Sequence, residues 1–319
     1  MGEIEAVRGH RRGARWAQVT YGVHRPARAG VDADHPPPWD EDDLSGWQLL
    51  MTDVGCLTGL TALWMHGVPL PPLPEDCPVF LALAKNDPRP MRDGVHTSRH
   101  VHPVAHEVLR GLRVAVVPEA LTAAARWTGL VDMVAIVDAA LRLGLVSLED
   151  LEAVSTTRRP GSRRLRAALA LVDARAESLW ESLLRVLHVV CDIEVEPQWV
   201  LTDADGVLVA RADLWVVGTN ALHEFDGDEH EKVPRRVVDR RRDRRVDREG
   251  YVRRGYTAGD VIHRAVTVLE DADRSLGRTH DPARIREWHR LLQDSLFTPA
   301  GRTAFLSRIP VASPRRRAA

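Results

Sequence analysis

Asp213, Glu224, Asp226 and His230 are the side chains here whose types and spacing could do chemistry together, with Arg211 two residues before the first. Three carboxylates and an imidazole gathered at one place have little structural use. Hard oxygen donors of this kind suit Mg²⁺ or Mn²⁺. A divalent ion held by such a group can be presented to a phosphate.

Two strands must bring these residues together. Val207 to Val217 is rich in β-branched and aromatic residues, as a strand should be. Gly218-Thr219-Asn220 is a turn signal, and Ala221 to Asp226 is the return strand. A two-residue loop at Gly218-Thr219 puts Asp213 opposite Glu224, and one at Thr219-Asn220 puts it opposite Asp226. Side chains alternate with period two, so either register leaves Asp213, Glu224 and Asp226 on one face. A three-residue loop would break that parity. Opposed residues have Cβ atoms roughly 4.5–5.5 Å apart, a distance at which carboxylates repel unless a cation lies between them.

Ala174 to Cys191 reads as a helix with Leu179, Leu183, Val186 and Val190 on its buried stripe. Glu177 and Glu181 are four apart and so share a face. A helix Glu, then an Asp and a Glu across a hairpin, is the layout of the PD-(D/E)xK nucleases. Residues 173–265 resemble, more narrowly, the very-short-patch-repair (Vsr)-like endonuclease domains. The matching residues are Glu177-Ser178 with Glu181 and Arg185, Gln198, Arg211 and Asp213, Glu224-Phe225-Asp226-Gly227 with His230, then Asp239, Arg240, Asp243, Gly250-Tyr251 and Arg254. The resemblance implies Asp213 as main metal ligand and Glu224 as second. It implies Glu181 and Glu177, with Gln198, as groups that orient water or the metal shell, and His230 as the residue that activates water. Asp226 stands where the wider superfamily has Lys. Lys85 and Lys232 are the only lysines; Lys232, two past His230, could supply that cation, as could Arg240 or Arg244 as fixed charges rather than bases. Cys56, Cys77 and Cys191 are too few and too scattered for the structural zinc of the family.

Arg235 to Glu249 carries Arg236, Arg240, Arg244 and Arg248 at helical i,i+4 spacing, beside Asp239, Asp243 and Asp247. Such a helix is either a solvated, self-paired face or a phosphate-binding element. In the second case these arginines, with Lys232 and Arg254, would contact DNA. Gly250 is a natural helix stop, Tyr251 to Tyr256 reads as a strand, and Thr257 with Asp260 forms a capping box opening a helix through Leu269.

The chain has 319 residues, is 44% hydrophobic and is nearly balanced in charge at −1. It can build two cores. Any DNA-binding surface must come from local segregation of arginine. No apolar run could span a membrane, no signal-peptide core is present, and an odd number of scattered cysteines fits a cytoplasmic protein.

Gly13 to Arg25 is a short β-like piece, and Leu44 to Gly67 holds a helix pair. Strands are expected at 79–83, 95–99 and 111–118, then helices at 118–127, 130–143 and 147–154. This half resembles AbiEi-type antitoxin proteins, with a truncated winged-helix remnant, which implies an interaction or regulatory domain that could take a protein partner. His96, His100, His102 and His106 fall close together, but Pro103 interrupts the run and no further ligand completes a metal set. Trp199 and Trp215 lie near the carboxylates and read as core more than as base-stacking platforms. Asp281 to Arg308 reads as one helix with Ile285, Trp288, Leu291, Leu292 and Leu296 inward.

The expected fold is α/β (α+β overall). A smaller α+β domain over 1–160 precedes a restriction-endonuclease-like mixed sheet flanked by helices over 161–310 and a basic tail over 311–319. The expected function is Mg²⁺- or Mn²⁺-dependent hydrolysis of mismatched, damaged or foreign DNA, nicking or cutting it. The alternatives are a non-catalytic DNA-binding regulator of toxin–antitoxin type and a protein-interaction module. Sequence leaves the oligomeric state open.

Overall fold

The computed structural model of the protein describes residues 6–9, 11, 16–26, 38–227 and 244–310. It is an α+β fold with mixed sheets flanked by helices. The chain divides into two compact units, each discontinuous. The first holds 1–128, 146–166 and 302–319, and the second 129–145 and 167–301. The division therefore does not fall at one point near 160. The helix at 130–142 belongs with the second unit, and the last stretch returns to the first.

In the first unit β1 (Val7–Arg8), β2 (Trp16–Thr20) and β3 (Val23–Pro26) form a small antiparallel sheet in the order β1-β3-β2. Then come α1 (Glu41–Gln48), β4 (Cys56–Leu57), α2 (Gly59–Met65), β5 (Val79–Ala84), β6 (Val95–His100), β7 (His106–Leu109), β8 (Leu112–Ala115) and α3 (Val117–Ala124). The five strands pair in the order β6-β5-β4-β8-β7, with β5–β6 and β4–β8 parallel. The expected strands and helices are present. The two-residue β4 and the exposed β7 were not anticipated, since neither carries enough apolar alternation to stand out.

In the second unit α4 (Leu130–Arg142) is buried along most of its length. Between α4 and the next element of this unit lie α5 (Leu148–Ser155) and α6 (Ser162–Leu169). Next is α7 (Leu179–Val190), shorter than expected because Ser178 caps it, its side chain accepting from the Glu181 N–H at 3.1 Å. Glu177 therefore precedes the helix and does not share its face. A four-stranded sheet follows, built from β9 (Val195–Thr202), β10 (Leu208–Val216), β11 (Ala221–Phe225) and β12 (Val252–Tyr256) in the order β12-β11-β10-β9. β9–β10–β11 are antiparallel and β11–β12 parallel. In β10 the buried Ala212, Leu214 and Val216 alternate with half-buried Asp213 and Trp215, the period-two pattern of a strand with one face inward. β11 is interior to the sheet, and Ala221 through Glu224 are all buried.

Residues 244–248 form a helical turn that ends at Gly250, whose φ of 78° is the left-handed geometry a helix stop requires. The capping box at Thr257 is present, with Thr257 accepting from the Asp260 N–H and Asp260 accepting from the Thr257 N–H. The helix it opens breaks at Arg264 (φ −123°, ψ 29°) into α8 (Ala258–His263) and α9 (Ala265–Ser275). The C-terminal segment is likewise not one helix but a 3₁₀ turn (Pro282–Ile285), α10 (Arg286–Leu292) and α11 (Pro299–Arg308), with Pro299 starting the last piece. Ile285, Trp288, Leu291, Leu292 and Leu296 are buried as their spacing predicts.

Candidate functional site

The hairpin register is settled by Leu214 opposite His223 and Trp215 opposite Leu222. One step further along that register sets Asp213 opposite Glu224, the arrangement of the Gly218-Thr219 loop, and Gly218 has the required positive φ of 77°. An Asp213 carboxylate oxygen accepts from the Phe225 N–H at 2.8 Å, which ties the side chain to the end of β11.

Glu224 is 4% exposed, and the Arg253 guanidinium on β12 donates to it at 2.5 Å. Arg253 also lies 3.6 Å from Asp226, which is exposed. β12 pairs with β11 so that Gly255 sits beside Glu224. A Cβ at Gly255 would fall 1.7 Å from an Asp226 carboxylate oxygen, so the missing side chain makes the room Asp226 occupies. Glu224, Asp226 and Arg253 thus form one cluster at this end of the sheet, next to Asp213. Arg253 is the residue that sequence reasoning missed. One signal was available, a guanidinium two residues from the glycine that flanks Glu224, but it depends on the parallel register of a strand pair distant in sequence.

On the other side of Asp213, Gln198 of β9 stands between the paired positions Trp199–Ala212 and Pro197–Leu214. Its φ is +54°. A non-glycine residue in that region costs of order 1–3 kcal/mol and persists only where its surroundings hold it. Here the Gln198 amide donates to Glu181 at 2.9 Å. The same Glu181 oxygen accepts from the Glu177 N–H at 2.8 Å, so Glu181 both steadies the start of α7 and is joined to the sheet. Glu177 pairs with Arg211 at 2.8 Å on the exposed side. Glu177, Glu181, Gln198, Asp213, Glu224 and Asp226 are therefore strung across the helix start and the sheet.

Other expected residues fall elsewhere. Arg254 points to the opposite face from Arg253 and pairs with Asp271 of α9 at 3.2 Å. Arg185, matched to the family pattern, is 5% exposed and donates to Asp138 of α4 at 2.8 Å. Arg244 and Arg248 are exposed on the turn at 244–248. His230, Lys232, Arg236 and Arg240, with Asp239 and Asp243, lie outside the described residues. Trp199 stacks on Trp215 with ring centres 5.0 Å apart and touches Tyr251, and all three are half-buried against a small apolar cluster.

Behind the carboxylates, on the buried face of β11, His223 meets His188 of α7 at 2.8 Å. His188 Nδ1 donates to the Leu184 carbonyl at 2.7 Å, so its Nε2 accepts from His223 Nδ1–H. The Tyr256 hydroxyl approaches His223 and reaches Asp271 at 3.2 Å. Burial pushes His188 down to about 4 and His223 well below the ordinary imidazole range, so both are neutral near pH 7.

The donor set at the hairpin can be weighed against a metal. Among the described residues no group of three or more His, Cys, Asp or Glu side chains is arranged to hold one. Asp213 and Glu224 are two hard carboxylates in neighbouring strands. Mg²⁺ commonly binds through one or two carboxylates, retained waters and substrate phosphates, so this pair suits it. Arg253 competes for Glu224. No helix among the described residues is long and apolar enough to cross a membrane. Comparison with protein-family models, with curated proteins and with solved structures gives no match.

Proposed function

We propose that the second unit is a restriction-endonuclease-like domain of the very-short-patch-repair kind that hydrolyses a DNA phosphodiester in mismatched, damaged or foreign DNA. The observation that carries this reading is the opposition of Asp213 and Glu224 across β10 and β11. It occurs in a sheet of three antiparallel strands and one parallel strand, with a helix Glu joined to it through Gln198.

Asp213 and Glu224 would hold Mg²⁺ or Mn²⁺, which when bound stabilises charge on the scissile phosphate and lowers the pKa of a bound water. The chain's own groups then have distinct tasks. The Phe225 N–H fixes the Asp213 carboxylate. Arg253 aims Glu224 and supplies positive charge beside Asp226, where the superfamily has Lys. Glu181, steadied by Gln198, orients water. Arg244 and Arg248, with Lys232, Arg236 and Arg240, would meet the phosphate backbone, and His230 would take a proton from water. The test is cleavage of supercoiled plasmid and of mismatched duplexes with Mg²⁺ or Mn²⁺ by the intact protein, beside Asp213→Ala. Cleavage present in the first and lost in the second supports the reading. Equal background in both sinks it.

A second reading rests on the Arg253–Glu224 ion pair, which substitutes for a cation at the hairpin. In that reading the unit binds DNA without cutting it, as a regulator of toxin–antitoxin type. Salt-dependent binding without cleavage is its signature. For the first unit the antitoxin-like order of elements motivates a regulatory role with a protein partner, checked by co-purification of the intact chain from its native cell. The three cysteines are unpaired and buried, which fits a reducing cytoplasm; cell fractionation would test it.

A further inference from the structure

The first unit contains a cavity of about 450 Å³ lined by β6, the loop after it, and α3. That volume lies in the range of small-molecule sites, roughly 300–1,000 Å³. Its walls are of two kinds. Phe80, Val104, Ala123 and Trp127 supply apolar surface. Arg99, Arg126 and Arg159 outnumber the one carboxylate, Glu119, and that carboxylate is already paired with Arg159 at 2.6 Å. Arg99 and Arg126 are exposed, and neither has an ion-pair partner among the described residues. The Arg126 guanidinium sits 4.4 Å over the Trp127 ring, which holds it at the cavity wall.

The cavity also contains a buried polar atom with no hydrogen-bond partner among the described residues. His96 is 4% exposed, and its ring packs edge-on to Trp127 at 4.9 Å and to Phe80 at 5.7 Å. Its Nδ1 lies 3.4 Å from the Pro310 carbonyl. A carbonyl only accepts, so the proton is on Nδ1. Burial, with Arg126 and Arg89 nearby, holds the imidazole below its ordinary pKa and hence neutral. Nε2 is then a lone pair without a donor among the described residues. Buried acceptors are rarely left so, and one on a cavity wall asks for a donor from a guest. His96 and Arg126 rest on the same indole, so a guest on Trp127 can meet both.

We propose that this cavity binds a small organic acid with a flat apolar body. Its carboxylate or phosphate lies beside Arg126 and Arg99, and a hydroxyl or N–H on the body donates to His96 Nε2. The site belongs to the first unit alone and does not depend on the nuclease reading of the second.

Isothermal titration of the full chain with 6-hydroxy-2-naphthoate, 2-naphthoate and 2-naphthol separates the two contacts, and 2-naphthyl phosphate in place of 2-naphthoate decides between the oxyanions. The hydroxy acid should bind about tenfold tighter than either compound lacking one group, because a site built to bond a hydroxyl rejects its absence. Arg126→Gln should weaken the acids and leave 2-naphthol unchanged. His96→Phe, which keeps a ring against Phe80 and Trp127, should erase the preference for the hydroxy acid over 2-naphthoate. Melting temperatures verify that each variant folds, and Arg126→Gln, a surface change, carries the test where His96→Phe does not. No saturable binding of any probe at millimolar concentration overturns the proposal, as does binding unchanged in a folded variant.

Discussion

Asp213 and Glu224 face one another across β10 and β11, and the residue that decides whether they act as a cation site or as a framework ion pair is Arg253. Glu224 is buried, so removing Arg253 takes away a guanidinium that donates to it at 2.5 Å. Arg253→Ala should cost roughly 3 kcal/mol of stability in the absence of divalent ions, by urea titration. If Glu224 is a metal ligand, millimolar Mg²⁺ should restore part of that loss, because a ligand that binds only the folded state stabilises it. A loss that Mg²⁺ does not touch would identify the pair as structural. The alternation of Val207 to Val217 made the shared face of the carboxylates readable from sequence, and the glycine at 218 made the register one of two choices. The competing arginine was not readable, because its place beside Glu224 depends on a parallel pairing across many intervening residues. Gln198 was singled out by the family resemblance, but its left-handed backbone was not readable, since glutamine is not a residue type that marks such a position.

At the scale of elements, α7 holds the site by its start and the sheet by its buried face. Ser178→Ala should destabilise the protein by about 1 kcal/mol through loss of its cap. Arg185→Met should cost more, about 3–5 kcal/mol, because Asp138 is left buried without its countercharge. A melting temperature unmoved by Arg185→Met would contradict the packing described. Where α7 meets β11, His188 and His223 are folded neutral. An unfolded imidazole takes its proton near 6.5, while folded His188 waits until about 4. The unfolded state therefore binds more protons in that window, and stability must fall as pH drops from 6.5 towards 4. His188 contributes on the order of 3 kcal/mol to this loss. Urea midpoints at pH 7.5 and pH 5 measure it; equal midpoints would show that the pair is not buried neutral. Capping signals at Thr257 and Gly250 were plain in sequence because each is a local bond between neighbours, whereas the cap at Ser178 was missed because the helical pattern was carried back to Ala174. The breaks at Arg264 and within 281–308 were not, because apolar spacing continues across them.

Across the whole molecule, each unit draws on separated stretches of chain. Composition announced enough apolar material for two cores, but apolar periodicity in 130–142 says only that the helix is buried, not which core buries it. Asp132 shows the kind of link that decides: its carboxylate accepts from the Ser295 hydroxyl at 2.7 Å and the Leu296 N–H at 2.9 Å, far along the chain. The proposed hydrolysis of DNA assigns the chemistry to the opposed carboxylates of the hairpin in the second unit. The most direct measurement is nicking of supercoiled plasmid with Mg²⁺ by the intact protein and by Asp213→Asn, whose amide oxygen still accepts from the Phe225 N–H and so keeps the local fold. Catalysis at the hairpin gives nicking that requires the metal and disappears in the variant while its melting temperature is nearly unchanged. Nicking that survives Asp213→Asn, or a folded wild-type protein that binds plasmid and leaves it intact, would contradict it.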